Sequence, residues 1–223
     1  MSGSAAPELV ARLAAARLYV VTAAAQTPAR VVDVVRAACA GGADVVQLRR
    51  KGDDGLETLR LAERCRALTA EAGVLLVVND RLDVAMACDA DGVHLGQDDL
   101  PLDAARRLWP GRVVGRSTHT LDQALRAQAE GADYAGVGPV HATPTKPGRP
   151  AAGLDFVVQA AAHLRIPWFA IGGVDADTLG AVLAAGARRV AVVRAVCDAR
   201  DVEAATRALR GAIEAQAAAE VVA

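Results

Sequence analysis

The sequence predicts an α/β protein of one domain, a (β/α)₈ TIM barrel, and three observations carry that prediction. Eight short runs, most of them rich in Val, recur along the chain. Segments rich in Ala, Leu and Arg, with apolar residues at helical spacing, lie between most of them. Several of those segments stop at a glycine just before the next run, at AGGAD, AEGAD and AAGAR. Strands alternating with helices pair in parallel through right-handed crossovers, and eight such units close into a barrel. The alternative is an open doubly wound sheet, but no G-x-G-x-x-G follows the first strand.

In chain order the runs are RLYVVTA from Arg17, DVVQLR from Asp44, VLLVVND from Val74 and DGVHLG from Asp91. They continue with RVVGRST from Arg112, DYAGVGPV from Asp133, PWFAIGG from Pro167 and RVAVVRAV from Arg189. DDGLETLRLAERCRALTAEAG and TLDQALRAQAEGA are typical intervening helices, whereas the helix after DGVHLG is short. Residues 1–16 read as an N-terminal tail or short helix, 17–218 as the barrel and 219–223 as a C-terminal tail.

At 223 residues the chain can bury a sizeable core. With 25 basic and 26 acidic residues the formal charge is −1, so the basic excess typical of a nucleic-acid binder is missing. No apolar run is long enough to span a bilayer, and the N-terminus lacks the charged start and apolar core of a secretory signal. Cys39, Cys65, Cys88 and Cys197 are far apart in sequence and form no C-x-x-C pair. They read as reduced core cysteines of a cytoplasmic protein.

Ala and Arg crowd the chain, and other residue types nearly vanish. Two lysines survive, Lys51 and Lys146, with one asparagine, Asn79, and one serine outside the N-terminal segment, Ser117. Arginine does not replace a compact, strongly hydrated ammonium, so such survivors are candidates for roles their substitutes cannot fill.

The working face of this fold lies at the C-terminal ends of the strands, so a polar residue there is a candidate for the site. Gln47, Arg49 and Lys51 follow at every second position at the end of the second strand. On an extended chain they share one face, with Arg50 pointing the other way. Barrel interiors are filled by leucine-like residues, so this row needs a ligand or an internal salt-bridge cluster to satisfy it. The third strand ends in Asn79 and Asp80, and GQDDLP after the fourth brings Asp98 and Asp99. Carboxylates on these neighbouring loops can meet at one hard cation, and Mg²⁺ fits that donor set. Asp99 could instead cap the following helix. Asp91, at a strand start, reads as structural.

Ser117, Thr118 and His119 end the fifth strand. Their spacing does not make a catalytic triad, so a hydroxyl contact to substrate or phosphate is expected of Ser117. His119 is equally a ligand contact or part of the next helix cap, while His94 and His163 read as packing or surface residues. After the sixth strand, VHATPTKPGRPAAGLD reads as a lid carrying Thr143, Thr145 and Lys146, a suitable grip for phosphate oxygens. Gly172 and Gly173 after the seventh strand and Val193 with Arg194 after the eighth fall where barrels commonly bind phosphate. The inventory is a metal-bound diphosphate beside a separate monophosphate.

VQLRRK, VNDRLDVAMACDADGVHLGQDDLP, GRSTHT, TPTK and IGGV, in this order, closely resemble the thiamine-phosphate synthase family over nearly the whole chain. The resemblance implies a transferase of thiamine biosynthesis. It would join 4-amino-2-methyl-5-(diphosphooxymethyl)pyrimidine to a thiazole phosphate, or its carboxylated precursor, and release diphosphate. Carried over by position, Gln47, Arg49, Lys51, Asn79, Ser117 and Lys146 hold the pyrimidine diphosphate, with Leu48 and Arg50 in the same stretch. Arg49, Lys51, Ser117 and Lys146 would be the catalytic set. Asp80 and Asp99 hold Mg²⁺, and Thr143, Pro144, Thr145, Gly173, Val193 and Arg194 meet the thiazole phosphate. Arg194 stands where many members have Ser, and His-Ala-Thr where Phe-Pro-Thr is common. A thiazole tautomerase using His119 and a catalytically silent binding barrel are the rival readings; neither needs the diphosphate and metal residues. Small phosphorylated molecules are the implied partners, with no nucleic acid and no membrane. The sequence is silent on oligomeric state and leaves a homo-oligomer open.

Overall fold

A computed structural model of the chain describes residues 4–52, 55–143 and 150–222. Helix α1 (Pro7–Ala15) comes first. Then follow β1 (Leu18–Val21), α2 (Pro28–Ala40), β2 (Val45–Leu48), α3 (Gly55–Glu71), β3 (Leu75–Asn79), α4 (Leu82–Ala87), β4 (Gly92–Leu95) and α5 (Leu102–Leu108). The second half runs β5 (Val113–Thr118), α6 (Leu121–Ala129), β6 (Tyr134–Val137), α7 (Gly153–His163), β7 (Trp168–Ile171), α8 (Leu179–Ala184), β8 (Val190–Val192), α9 (Arg194–Cys197) and α10 (Val202–Val222). The eight strands pair in sequence order, all parallel, and β8 closes on β1. No helix among the described residues is long and apolar enough to cross a membrane.

Each local device is readable in the residues. Thr27 caps α2 by accepting from the Arg30 N–H at 3.3 Å, with Pro28 in the first turn, and Thr120 caps α6 by accepting from the Gln123 N–H at 3.3 Å. The glycines that end α2, α6 and α8 are Gly42, Gly131 and Gly186, at φ 92°, 85° and 101°, which a side chain would disfavour.

Side chains alternate between two cores. Val46, Leu48, Leu76, Val78, Val93 and Leu95 pack outward against the helices. Val45, Leu75, Val77, Val113, Tyr19, Tyr134 and Phe169 form a separate inner cluster. Leu9 and Leu13 of α1 belong to that inner cluster, so the segment assigned to a tail or short helix closes the N-terminal end of the barrel. At the other terminus α10 runs on to Val222, through most of the residues assigned to a C-terminal tail.

The N-terminal face is held by a device used three times. Asp44, Asp91 and Asp133 each precede an even-numbered strand and accept backbone N–H groups from the odd-numbered strand before it. Asp44 takes those of Arg17 and Leu18 (2.7 and 2.9 Å), Asp91 that of Leu76 (2.8 Å) and Asp133 that of Val114 (2.7 Å). Each also pairs with an arginine: Arg210, Arg66 and Arg106 respectively. Asp91, read as structural from its place at a strand start, has that role here.

The barrel interior is less leucine-like than the fold class predicts. Tyr19, Tyr134 and Phe169 fill it with ring centroids 5.1–5.9 Å apart. Gly115 makes this packing possible, since a Cβ there would lie 2.1 Å from Tyr134 Cζ. The four cysteines are free thiols. Burial pushes Cys39 and Cys197 up to about 11 and Cys65 to about 12, which disfavours the thiolate form.

Replacing Asp91 by Ala strands the Leu76 N–H and the partly buried Arg66. We expect a loss of about 2–3 kcal/mol of stability in urea denaturation, with an unchanged denaturant slope.

Candidate active site

A cavity of about 320 Å³ opens at the C-terminal ends of the strands. Its floor is set by strand parity: inward residues of successive strands include Gln47 on β2, Asn79 on β3, His94 on β4 and Ser117 on β5. Gln47 and Asn79 are 4% and 8% exposed, so each polar group must find a partner within the barrel or in a ligand. The Gln47 amide donates to the Tyr19 hydroxyl at 2.7 Å. The Asn79 Nδ2 group is buried with no hydrogen-bond partner. A donor lining the cavity in this state is suited to receive an acceptor on a ligand.

β2 stops at Leu48, so the row Gln47, Arg49, Lys51 is only partly a strand face. Gln47 and Arg49 do line the cavity. The Arg49 backbone N–H is fixed by Thr22 Oγ1 at 2.9 Å, and burial pulls its guanidinium below the ordinary arginine value, partly offset by Asp80. Lys51 lies beyond the strand, exposed, and ion-pairs with Asp80. Two residues of this stretch face elsewhere. Leu48 is buried in the outer core against the helices, and Arg50 donates to the Gln26 carbonyl in the loop after β1. Their side chains therefore do not reach the cavity, because parity turns Leu48 outward and the chain leaves the sheet after it.

Asp80 follows β3 in a left-handed conformation, φ 60°, and its N–H bonds the His94 carbonyl at 2.9 Å. That geometry is uncommon for a non-glycine residue and places the carboxylate beside the next strand's loop. There Asp99 waits. Its Oδ2 accepts from the Gly96 N–H at 2.6 Å, while the N-terminal boundary of α5 lies at Pro101, so Asp99 is not the helix cap that was its alternative reading. Burial first, and then the neighbouring Asp80 carboxyl, push the Asp99 carboxyl above the ordinary carboxylate range. Two carboxylates in mutual opposition, with Lys51 as their nearest cation, form a donor set that a hard divalent ion fits. Among the described residues no group of three or more His, Cys, Asp or Glu gathers to hold a metal, so protein ligation would stop at this pair.

Ser117 meets His94: its Oγ lies 2.9 Å from His94 Nε2. His94, read from sequence as packing or surface, is thus a component of the cavity floor. Its Nδ1 lies 2.9 Å from the Tyr134 hydroxyl, and that hydroxyl 2.8 Å from Tyr19's. The signal that could have found these residues is the alternation of β4 and β6, which turns His94 and Tyr134 inward. His119 lines the cavity, with its Nδ1 2.6 Å from the Gly138 carbonyl, and it also belongs to the cap region of α6: its N–H donates to Gln123 Oε1 at 2.8 Å, beside the capping Thr120.

Opposite this wall, Thr143, Gly172, Gly173, Val193 and Arg194 border the cavity. Gly172 and Gly173 have φ of 102° and 65°, and a Cβ at either would lie 2.5–2.7 Å from Pro139 or His141, so glycine is required at both. Val193 bounds the single-turn helix α9, with Arg194 exposed beside it. Pro144, Thr145 and Lys146 lie outside the described residues.

Known proteins resemble this chain in sequence and in fold. The family described as thiamine monophosphate synthase matches residues 18–196. The thiamine-phosphate synthase of Thermus thermophilus is 57% identical over 180 residues, 80% of this chain and 87% of the relative. That of Mycolicibacterium vanbaalenii is 49% identical over 214 residues, 92% of this chain and 97% of the relative. The solved structure of thiamine phosphate pyrophosphorylase from Pyrococcus furiosus superposes with a TM-score of 0.84 at 37% identity, covering 93% of this chain and 98% of that one. The chain belongs to the thiamine monophosphate synthase family.

Proposed function

We infer that this barrel is a thiamine-phosphate synthase, condensing 4-amino-2-methyl-5-(diphosphooxymethyl)pyrimidine with thiazole phosphate, or its carboxylated precursor, to thiamine phosphate and diphosphate. The observation that carries the reading is the Lys51–Asp80–Asp99 cluster, which meets the cavity's lining through Arg49, whose guanidinium feels the Asp80 charge, and through Asn79, the residue before Asp80, whose Nδ2 has no partner. It is supported by the family to which the chain belongs.

The reaction breaks the bond between the pyrimidine's methylene carbon and the diphosphate oxygen, and the electron pair leaves with diphosphate. The resonance-stabilised cation that remains is taken by the lone pair of the thiazole nitrogen, forming the new C–N bond. The protein's task is electrostatic. Arg49 and Lys51 stand where negative charge grows on the leaving group, and the Asn79 amide supplies a preorganised donor. Burial of Arg49 strengthens its interaction with an anion, because less water screens it. Lys146 and Thr145 have the same assignment from the sequence. Asp80 and Asp99 are the residues that would hold Mg²⁺, which when bound neutralises diphosphate oxygens. Thr143, Gly173, Val193 and Arg194 suit the thiazole's phosphate, with backbone approach allowed by Gly173 and a guanidinium from Arg194. Exclusion of water from the cavity keeps the cation for the nitrogen.

An isomerase acting through His119 would leave Asp80, Asp99, Lys51 and Asn79 without a task. A cytoplasmic location suits the biosynthetic role.

Purified protein incubated with both phosphorylated halves is expected to form thiamine phosphate only when Mg²⁺ is present. Asp80→Ala should lower turnover by at least about a hundredfold, the scale of removing one strong electrostatic contact to a developing charge, and near-normal activity would reject the metal assignment. Asp99 gives a second test through stability. Its folded pKa is raised, so its contribution to stability is fully present below the unfolded pKa and is lost as pH rises through the folded one. Without metal, Asp99→Asn should therefore raise the urea midpoint at pH 7.5 while turnover with Mg²⁺ collapses.

A further inference from the structure

Five side chains at the cavity floor form one unbroken hydrogen-bond chain, each from a different strand. Gln47 Nε2 lies 2.7 Å from Tyr19 Oη, which lies 2.8 Å from Tyr134 Oη. Tyr134 Oη lies 2.9 Å from His94 Nδ1, and His94 Nε2 lies 2.9 Å from Ser117 Oγ. Tyr19, Tyr134, Gln47 and His94 are all buried, so none of these groups can turn to bulk water.

Such a chain has a direction, and its first member sets it. The Gln47 amide nitrogen donates to Tyr19 and cannot accept, so the buried Tyr19 hydroxyl keeps its single proton bonded by giving it to its other neighbour, Tyr134 Oη. Tyr134 then gives its own proton to His94 Nδ1. A ring nitrogen that accepts leaves the other to carry the hydrogen, so His94 is neutral and protonated at Nε2. Nε2–H donates to Ser117 Oγ, and the serine's hydroxyl hydrogen remains for a partner other than His94. Burial holds both tyrosines protonated far beyond neutral pH, so the chain keeps its full complement of protons under working conditions. In the opposite direction the serine proton would go to His94, and Ser117 could only accept.

We propose that Tyr19, Tyr134 and His94 are positioning residues which, directed by Gln47, orient Ser117 as a hydrogen-bond donor into the cavity, toward a lone-pair acceptor on the bound pyrimidine diphosphate. The proposal rests on the substrate reading above for its ligand, but not for the proton order itself. The packing supports a fixed assembly. Gly115 leaves the space that the Tyr134 ring occupies, and Gly136 faces the His94 ring with 3.5 Å between its would-be Cβ and His94 Cε1. A chain held this rigidly lets the serine donate without reorganisation when substrate arrives.

The proton order is read directly by ¹⁵N NMR of histidine-labelled protein without substrate at pH 7.5. His94, assigned by loss of its signal in His94→Gln, is expected as the neutral Nε2–H tautomer. An Nδ1–H tautomer or an imidazolium in the unsubstituted protein overturns the proposal, whatever the enzyme's activity. Tyr134→Phe keeps the ring and removes the link. It should shift His94 toward Nδ1–H and raise KM for the pyrimidine diphosphate about tenfold or more, with kcat less affected and circular dichroism unchanged. Ser117→Ala should weaken the same binding, and the double variant should be no worse than Ser117→Ala alone; additive losses would separate the serine from the chain and overturn it. Titration with inorganic diphosphate and, separately, with the diphosphate-free aminopyrimidine alcohol identifies which fragment bears the acceptor: the one whose affinity both single variants lower. Equal affinity of the variants for both fragments also overturns it.

Discussion

Closure of eight parallel strands into a cylinder imposes the constraint from which the site follows. Every second residue of every strand must face a narrow interior, and at the N-terminal end that interior is filled by apolar and aromatic groups capped by α1. Toward the other end the same alternation continues, yet the inward residues become Gln47, Asn79, His94 and Ser117. A polar group there is desolvated by its surroundings and cannot escape without breaking the register of the whole barrel. The cavity is therefore a place where donors and charges are presented, already stripped of water, to whatever enters from the mouth.

Two kinds of polar network serve two ends of the barrel. At the N-terminal face Asp44, Asp91 and Asp133 each tie backbone amides and an arginine together through one carboxylate oxygen, and so serve the architecture of the barrel. At the C-terminal face the accounting is left open. Asp80 and Asp99 oppose one another, and Asn79 holds a donor without an acceptor. The strained backbone of Asp80 belongs to this second group.

Glycine placement links packing to this chemistry. Gly115 admits the Tyr134 ring, and through it the hydrogen-bond chain that ends at Ser117. Gly172 and Gly173 allow the chain to turn tightly past Pro139 and His141 on the opposite wall, where phosphate recognition by backbone groups is favoured. An apolar barrel built to the same strand pattern would fold but would have neither wall.

Much of this was determined by the sequence alone. Period-two runs separated by period-3.6 segments, with glycine stops, fix the number of strands, their parallel pairing and hence the working face, because those properties depend on local hydrophobic pattern and backbone geometry. The scarcity of lysine and asparagine drew attention to Lys51 and Asn79, and strand-end position to Asp80 and Ser117. Tertiary structure decided the rest. That Leu48 and Arg50 face away, that Asp99 meets Asp80 instead of capping a helix, and that α1 closes the barrel all depend on where a strand stops and which loops become neighbours. His94 joins Tyr134 across 40 residues and Ser117 across 23. Contacts of that span are set by barrel closure and shear, and no local pattern of residues records them.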